Sequence, residues 1–150
     1  SVSGIIRSPQ HRARLEQAGI YPILEADRAL VEKVSQHSDL VFDAVGGELG
    51  NTLLSVLPAS STLISYGLLS GRPLIQMRAS AAVRKFHLRE ALPGLSVAAW
   101  RAAFDEIWQR LPTTTQPPAR RVALNDWREA IAAAGQPGRG GKILLDFTVG

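Results

Sequence analysis

Short apolar runs alternate along the chain with segments in which apolar residues recur every three or four positions. Four of the runs predict β-strands, at residues 2–6, 20–24, 40–45 and 62–66. The intervening segments predict amphipathic helices, and one of them carries the stripe Leu49, Leu53, Leu54 and Leu57. Alternating strands and helices are typical of an α/β fold with a parallel sheet.

The second half of the chain predicts two more helices and a last strand. A helix over 97–111 has Trp100, Phe104 and Trp108 at helical spacing, which predicts core residues. Asp126 and Glu129 have the spacing of a capping box for the next helix. That helix is expected to bury Trp127, Ala130, Ile131 and Ala134. Residues 143–147 predict the last strand, and weaker strand candidates lie at 74–77 and 85–88.

The run at 40–45 is the most informative segment, since it leads through two glycines into a helix. Only Asp43 interrupts its apolar character, which predicts a parallel strand covered on both faces. A carboxylate in such a strand needs partners, so we expect Asp43 to be hydrogen-bonded rather than to act as a general base. Gly46 and Gly47 either leave room for a ligand in the crevice above the sheet or form a glycine turn and nothing more.

Taken in order, the elements predict an incomplete Rossmann-type domain. It is a doubly wound parallel sheet that lacks its first strand and glycine-rich turn, followed by a carboxyl-terminal helix and strand. We expect one domain over 1–150 with a return segment at about 118–150. The first strand is central in the strand order 3-2-1-4-5-6, so its absence predicts a gap with unpaired edges. A strand-swapped assembly, a homodimer or a longer protein would fill that gap.

Composition and charge narrow the class of protein. Hydrophobic residues make up 45% and charged residues 20% of the chain, as in ordinary globular domains. There is no cysteine, which excludes disulfides and thiolate zinc sites, and no apolar run has the length of a membrane span. The net charge of +4 comes from scattered arginines rather than a stripe with interleaved aromatics, so nucleic acid is not an expected partner. We expect a cytoplasmic protein.

Arg7 and Ser8 follow the first predicted strand, and Arg12 lies about one helical turn further on. In a dinucleotide-binding sheet, an acidic residue at this turn bonds the adenosine ribose hydroxyls, whereas arginine and serine favour a 2′-phosphate. The pattern therefore favours NADP(H) over NAD(H) if the fold is correct. Without that fold, the arginines are solvated surface residues.

The three histidines have no metal-ligand spacing, and no catalytic constellation emerges.

The ordered series of motifs resembles the medium-chain dehydrogenase/reductase superfamily, and within it the zinc-independent quinone oxidoreductases and enoyl reductases. Four segments carry the resemblance: Ile5-Ile6-Arg7-Ser8, the run from Asp39 to Gly47, Leu63-Ile64-Ser65-Tyr66-Gly67 and Gly141-Lys142-Ile143-Leu144-Leu145. The resemblance covers nearly the whole chain. The chain lacks the amino-terminal barrel-like domain of that family, which supplies most of the residues for substrate binding and proton relay.

The resemblance implies an NADP(H)-binding portion of an oxidoreductase that reduces a quinone or an activated double bond, a small electrophilic substrate. It assigns the 2′-phosphate to Arg7, Ser8 and Arg12, and it assigns no catalytic residue and no metal ligand to the chain. The chain alone is expected to be inactive, because the pyrophosphate turn and the substrate wall are both absent. The other cofactor-binding residues that the resemblance implies are Val45, Gly46, Tyr66, Gly67, Phe86 and Lys142. The alternative is a non-catalytic binding or interaction domain on a Rossmann-like scaffold.

Overall fold

The computed structural model describes residues 1–75, 80–136 and 140–148, with Ala91 by its backbone alone. The chain divides into two compact units, Ser1–Ser96 and Val97–Gly150. Strands and helices alternate over residues 3–65 of the first unit, and all paired strands in both units run parallel. The predicted α/β class with parallel sheets is confirmed.

The described residues of the first unit form five strands and four α-helices. In chain order they are β1 (Ser3–Ile6), α1 (Arg12–Gln17), β2 (Tyr21–Leu24), α2 (Arg28–Ser35), β3 (Leu40–Asp43), α3 (Gly47–Val56), β4 (Thr62–Ser65), β5 (Ala82–Lys85) and α4 (Leu88–Ala91). Local signals match several of these ends. Asp27 caps α2 by accepting the Leu30 N–H, and Gly19 follows α1 with φ of 72°.

The strands of this unit form two separate sheets. β1 pairs with β2, and β3, β4 and β5 form a three-stranded sheet in that order. Among the described strands, no pairing joins the two sheets, and β1 and β3, like β2 and β5, each have one paired edge only. This is the gap that the sequence predicts between the two halves of the sheet.

A hydrophobic core connects the elements of the first unit across that gap. Ile23 of β2 and Leu63 of β4 are almost fully buried in the same cluster. The other buried members of the cluster are Val31, Leu53, Leu54, Leu57 and Ala81. The leucine stripe of α3 is therefore confirmed as a core face.

The β3 strand differs from the prediction that both its faces are covered. Val41 packs against the core and Asp43 is buried, whereas Leu40 is 49% and Phe42 is 64% exposed. The face that carries Leu40 and Phe42 is therefore largely uncovered by the described residues. The prediction was wrong for this face because an apolar run does not reveal whether neighbouring elements are in place.

The predicted strand at 85–88 was also wrong. β5 lies three residues earlier because its pairing with β4 ends at the register Ser65↔Lys85, and α4 begins at Leu88. In the candidate at 74–77, residues 74–75 are not in a strand and 76–77 lie outside the described residues.

The second unit contains α5 (Val97–Arg110), β6 (Ala119–Ala123), α6 (Trp127–Gly135) and β7 (Lys142–Asp146). β6 pairs with β7, so the predicted last strand is confirmed with a one-residue shift. β6 was not predicted from the sequence, because its Arg120-Arg121 pair breaks the apolar pattern. No helix in the described parts of the chain is both long and apolar enough to cross a bilayer.

Both helices of the second unit bury less than their patterns predict. No residue of α5 is buried, although Trp100 and Phe104 stack on each other with ring centroids 5.4 Å apart. Of the predicted α6 core only Ala130 is buried, whereas Ile131 is 61% exposed. The capping box is absent because the Glu129 carboxylate pairs with Arg120 of β6 instead.

Candidate functional site

The carboxyl ends of β1 and β2 bring Arg7 beside an acidic residue. The two strands pair in the register Ile6↔Leu24, and the Glu25 N–H donates to the Ile6 carbonyl at 2.9 Å. This register sets Arg7 and Glu25 at the same edge of the sheet. The Arg7 Nε lies 3.1 Å from Glu25 Oε2, and the Arg7 side chain is 69% exposed.

Ser8 begins the connection from β1 to α1. Its hydroxyl oxygen accepts the Gln10 N–H at 3.4 Å, and Pro9 opens a short 3-10 turn that runs into α1. Arg12 is the first residue of α1, and its Nη1 lies 3.9 Å from Glu16 Oε1. The three residues predicted to read a 2′-phosphate thus lie on one connection, at the carboxyl end of β1.

A second group of predicted residues lies where β3 and β4 end. The buried Asp43 carboxylate accepts the N–H groups of Val45, at 2.8 Å, and Gly46, at 3.0 Å. The Tyr66 N–H donates to the Asp43 carbonyl at 2.9 Å. Asp43 is therefore hydrogen-bonded, as predicted, and it joins the two strand ends by both its backbone and its side chain.

The space beside Gly46 and Gly47 is occupied by the chain itself. Both glycines have positive φ, 67° and 60°, which favours glycine. A Cβ at Gly46 would lie 2.7 Å from the Arg72 carbonyl oxygen, and one at Gly47 would lie 2.7 Å from Ser70 Oγ. The turn and the loop after β4 explain why both of these positions are glycine.

Phe86 lies near the same strand ends, whereas Lys142 lies in the other unit. The Phe86 N–H donates to the Ser65 carbonyl at 2.9 Å, so Phe86 and Tyr66 both follow paired strands. Tyr66 and Phe86 are each 52% exposed. Lys142 begins β7, and its N–H donates to the Pro118 carbonyl at 2.9 Å.

A shallow groove of about 600 Å³ lies along the outer side of α3. It is lined by Glu48, Asn51, Thr52 and Arg72, among others, and by none of the predicted site residues. The Arg28 guanidinium hydrogen-bonds the Glu48 carboxylate, which lowers the pKa of Glu48 and raises that of Arg28. No cluster of three metal-binding side chains occurs within 1–75, 80–136 and 140–148.

Two features of this region were not predicted from the sequence: the contact of Glu25 with Arg7, and the contacts of the loop of residues 67–73 with the end of β3. Glu25 could have been found by aligning the ends of the first two predicted strands, since both ends lie at one sheet edge in a parallel pair. The loop carries no such signal, because its contacts with Ala44 and Val45 join distant parts of the chain.

The chain has the fold of several solved reductases. A protein assigned as an NADPH:quinone reductase from Bacillus thuringiensis matches 95% of this chain with a TM-score of 0.80 at 22% identity. A quinone oxidoreductase from Pseudomonas syringae matches 95% with a TM-score of 0.73 at 17% identity. Etr1p, a 2-enoyl thioester reductase of Candida tropicalis solved with NADP and crotonyl-CoA, matches 97% with a TM-score of 0.69 at 14% identity.

The chain spans about half the length of these structures, covering 47%, 48% and 46% of them respectively. Neither a family model nor a curated protein sequence matches the chain. The chain therefore has the Rossmann-like fold found in NADPH:quinone reductases and enoyl thioester reductases, as the motif series predicted.

Proposed function

We propose that this chain is the NADP(H)-binding part of an oxidoreductase of the medium-chain superfamily, zinc-independent, that reduces a quinone or an activated double bond. The observation that carries the proposal is the arginine and serine connection at the carboxyl end of β1, on a fold otherwise found in such reductases. A 2′-phosphate needs donors rather than a carboxylate at this turn.

The residues present fit a 2′-phosphate. Arg7 uses its Nε toward Glu25, and its two terminal nitrogens have no hydrogen-bond partner among the described residues. A free guanidinium fork binds two phosphate oxygens at once. Ser8 keeps its O–H available as a donor, since its oxygen acts as the acceptor toward Gln10.

In this proposal the strand ends border the nicotinamide half of the cofactor. Val45, Gly46, Tyr66 and Gly67 lie at the ends of β3 and β4, and the exposed Phe86 ring follows β5. Bound NADPH supplies the hydride, while these residues orient the ring and exclude water. Lys142 begins β7 in the second unit, and its cofactor-binding role stays a prediction from the resemblance.

The first test is a titration of the full-length protein with NADPH and with NADH, in which the fluorescence of the ligand reports binding. We expect tighter binding of NADPH, because Arg7 and Arg12 favour the extra phosphate. Arg7→Ala should raise the Kd for NADPH by about 10- to 100-fold, as for loss of a charge-assisted hydrogen bond, and leave NADH unchanged. Arg14→Ala is the matched control on the exposed side of α1.

Equal affinity for the two cofactors, or no binding of either, would contradict the proposal. If NADPH binds, its oxidation in the presence of quinones and enones identifies the substrate class. Binding without turnover on any of them would favour a non-catalytic binding domain.

A further inference from the structure

Glu25 is an acidic residue in direct contact with the residue proposed to read the 2′-phosphate. Its carboxylate accepts the Arg7 Nε–H at 3.1 Å, and its side chain is 31% exposed. The backbone bond from the Glu25 N–H to the Ile6 carbonyl fixes the position of Glu25 next to β1. A carboxylate near a phosphate site opposes anion binding, so this contact needs an explanation.

The atom that Glu25 contacts provides the explanation. A carboxylate that bound the terminal fork of Arg7 would compete with a phosphate for the same donors. Glu25 binds Nε, on the other edge of the guanidinium, and thereby restrains the orientation of a side chain that is otherwise 69% exposed. Restraining a flexible arginine before the ligand arrives lowers the entropy lost on binding.

We propose that Glu25 is a positioning residue that modulates the preference for NADP(H) over NAD(H). It holds the guanidinium of Arg7 so that the Nη1 and Nη2 groups face the 2′-phosphate, while its negative charge limits the affinity gained. This inference rests on the proposed function. The position of the Glu25 carboxylate strengthens NADPH binding by orienting Arg7, whereas its negative charge weakens NADPH binding.

Two substitutions at this position separate the two effects. Glu25→Gln keeps an oxygen that accepts the Nε–H but removes the charge, so NADPH should bind about three- to tenfold tighter. Glu25→Ala removes both charge and acceptor, so it should bind NADPH more weakly than Glu25→Gln. NADH lacks the phosphate, and its Kd should stay the same in both variants.

The experiment is a binding cycle on the full-length protein with NADPH, NADH and 2′,5′-ADP. In the Arg7→Ala background, Glu25→Gln and Glu25→Ala should give proteins that bind NADPH equally, since no guanidinium remains to be held. The gain in NADPH affinity from Glu25→Gln should shrink as the salt concentration is raised, because the Glu25 charge is near the surface. Glu32→Gln, which removes an exposed carboxylate of α2, is the control.

The outcomes distinguish this inference from the function on which it rests. If Arg7→Ala weakens NADPH binding but both Glu25 variants bind like the wild type, the positioning role is wrong and the NADP(H) site stands. Parallel changes for NADPH and NADH would also overturn the role, since they indicate general disruption. Failure of the wild type to bind either cofactor overturns both.

Discussion

At the end of β4, position 67 has room for a hydrogen atom and nothing larger. A Cβ there would lie 2.6 Å from the Ala44 carbonyl oxygen and 3.0 Å from Ala44 Cα, both of them backbone atoms. Gly67 has no positive φ, so close approach alone explains the residue. The glycine at this position lets the ends of β3 and β4, which we propose to border the nicotinamide, approach each other.

Gly67→Ala should therefore destabilise the chain by about 1–3 kcal/mol, the usual cost of an overpacked contact that rigid neighbours cannot relieve. Chemical unfolding followed by circular dichroism measures the change. Gly94→Ala is the matched control, because a Cβ at Gly94 meets nothing within 4 Å and its φ is not positive. Equal stability of the two variants would show that the strand ends can separate at little cost.

Among the elements, those whose signals are local could be predicted from sequence. The α3 stripe, the Asp27 cap and the glycine after α1 each depend on neighbours a few positions away, and each is present. Burial of Phe42 or Trp108 depends on distant elements, and both side chains are 64% exposed. The same limit applies at the site: the pattern around Arg7 was visible, but its contact with Glu25 required the parallel register.

The end of β7 provides a pH-dependent element. The Asp146 carboxylate accepts the hydroxyl and the backbone N–H of Thr148, at 2.5 and 2.9 Å, and lies 3.3 Å from Arg121 Nη1. These contacts, the Thr148 hydroxyl first, lower the pKa of Asp146 below its ordinary value of 3.8. A carboxyl with a lowered pKa in the folded state stabilises that state above its unfolded pKa. That contribution is lost as the pH falls through the folded value.

Asp146→Asn should lower the Tm at neutral pH, since it removes the charge that these donors stabilise. The Tm difference from the wild type should shrink as the pH falls below 3.8, where the wild-type carboxyl also becomes protonated. Thermal unfolding across this pH range is the measurement. Asp105→Asn, on the exposed surface of α5, is expected to show a constant and small difference. A constant difference for Asp146→Asn would contradict the prediction.

For the molecule as a whole, the gap between β1 and β3 is the dominant structural feature. Two sheets share one core, yet neither β1 nor β3 has a strand on its other edge among the described residues. Unpaired edges with exposed apolar side chains promote pairing with another chain. We therefore expect the 150-residue chain to self-associate through these edges, as the predicted homodimer or strand-swapped assembly requires.

Phe42→Lys tests this expectation at the exposed face of β3. A lysine on an edge strand opposes strand pairing between chains, so the variant should shift the distribution toward monomer. Sedimentation velocity over a series of protein concentrations measures the shift. Phe147→Lys places the same change at a 75% exposed phenylalanine after β7, which contributes to neither sheet of the first unit, and should leave the association unchanged. A wild-type chain that stays monomeric at every concentration, with native circular dichroism, would show that the two edges are stable without a partner. The shared core of α2, α3, β2 and β4 would then be sufficient to hold the divided sheet together.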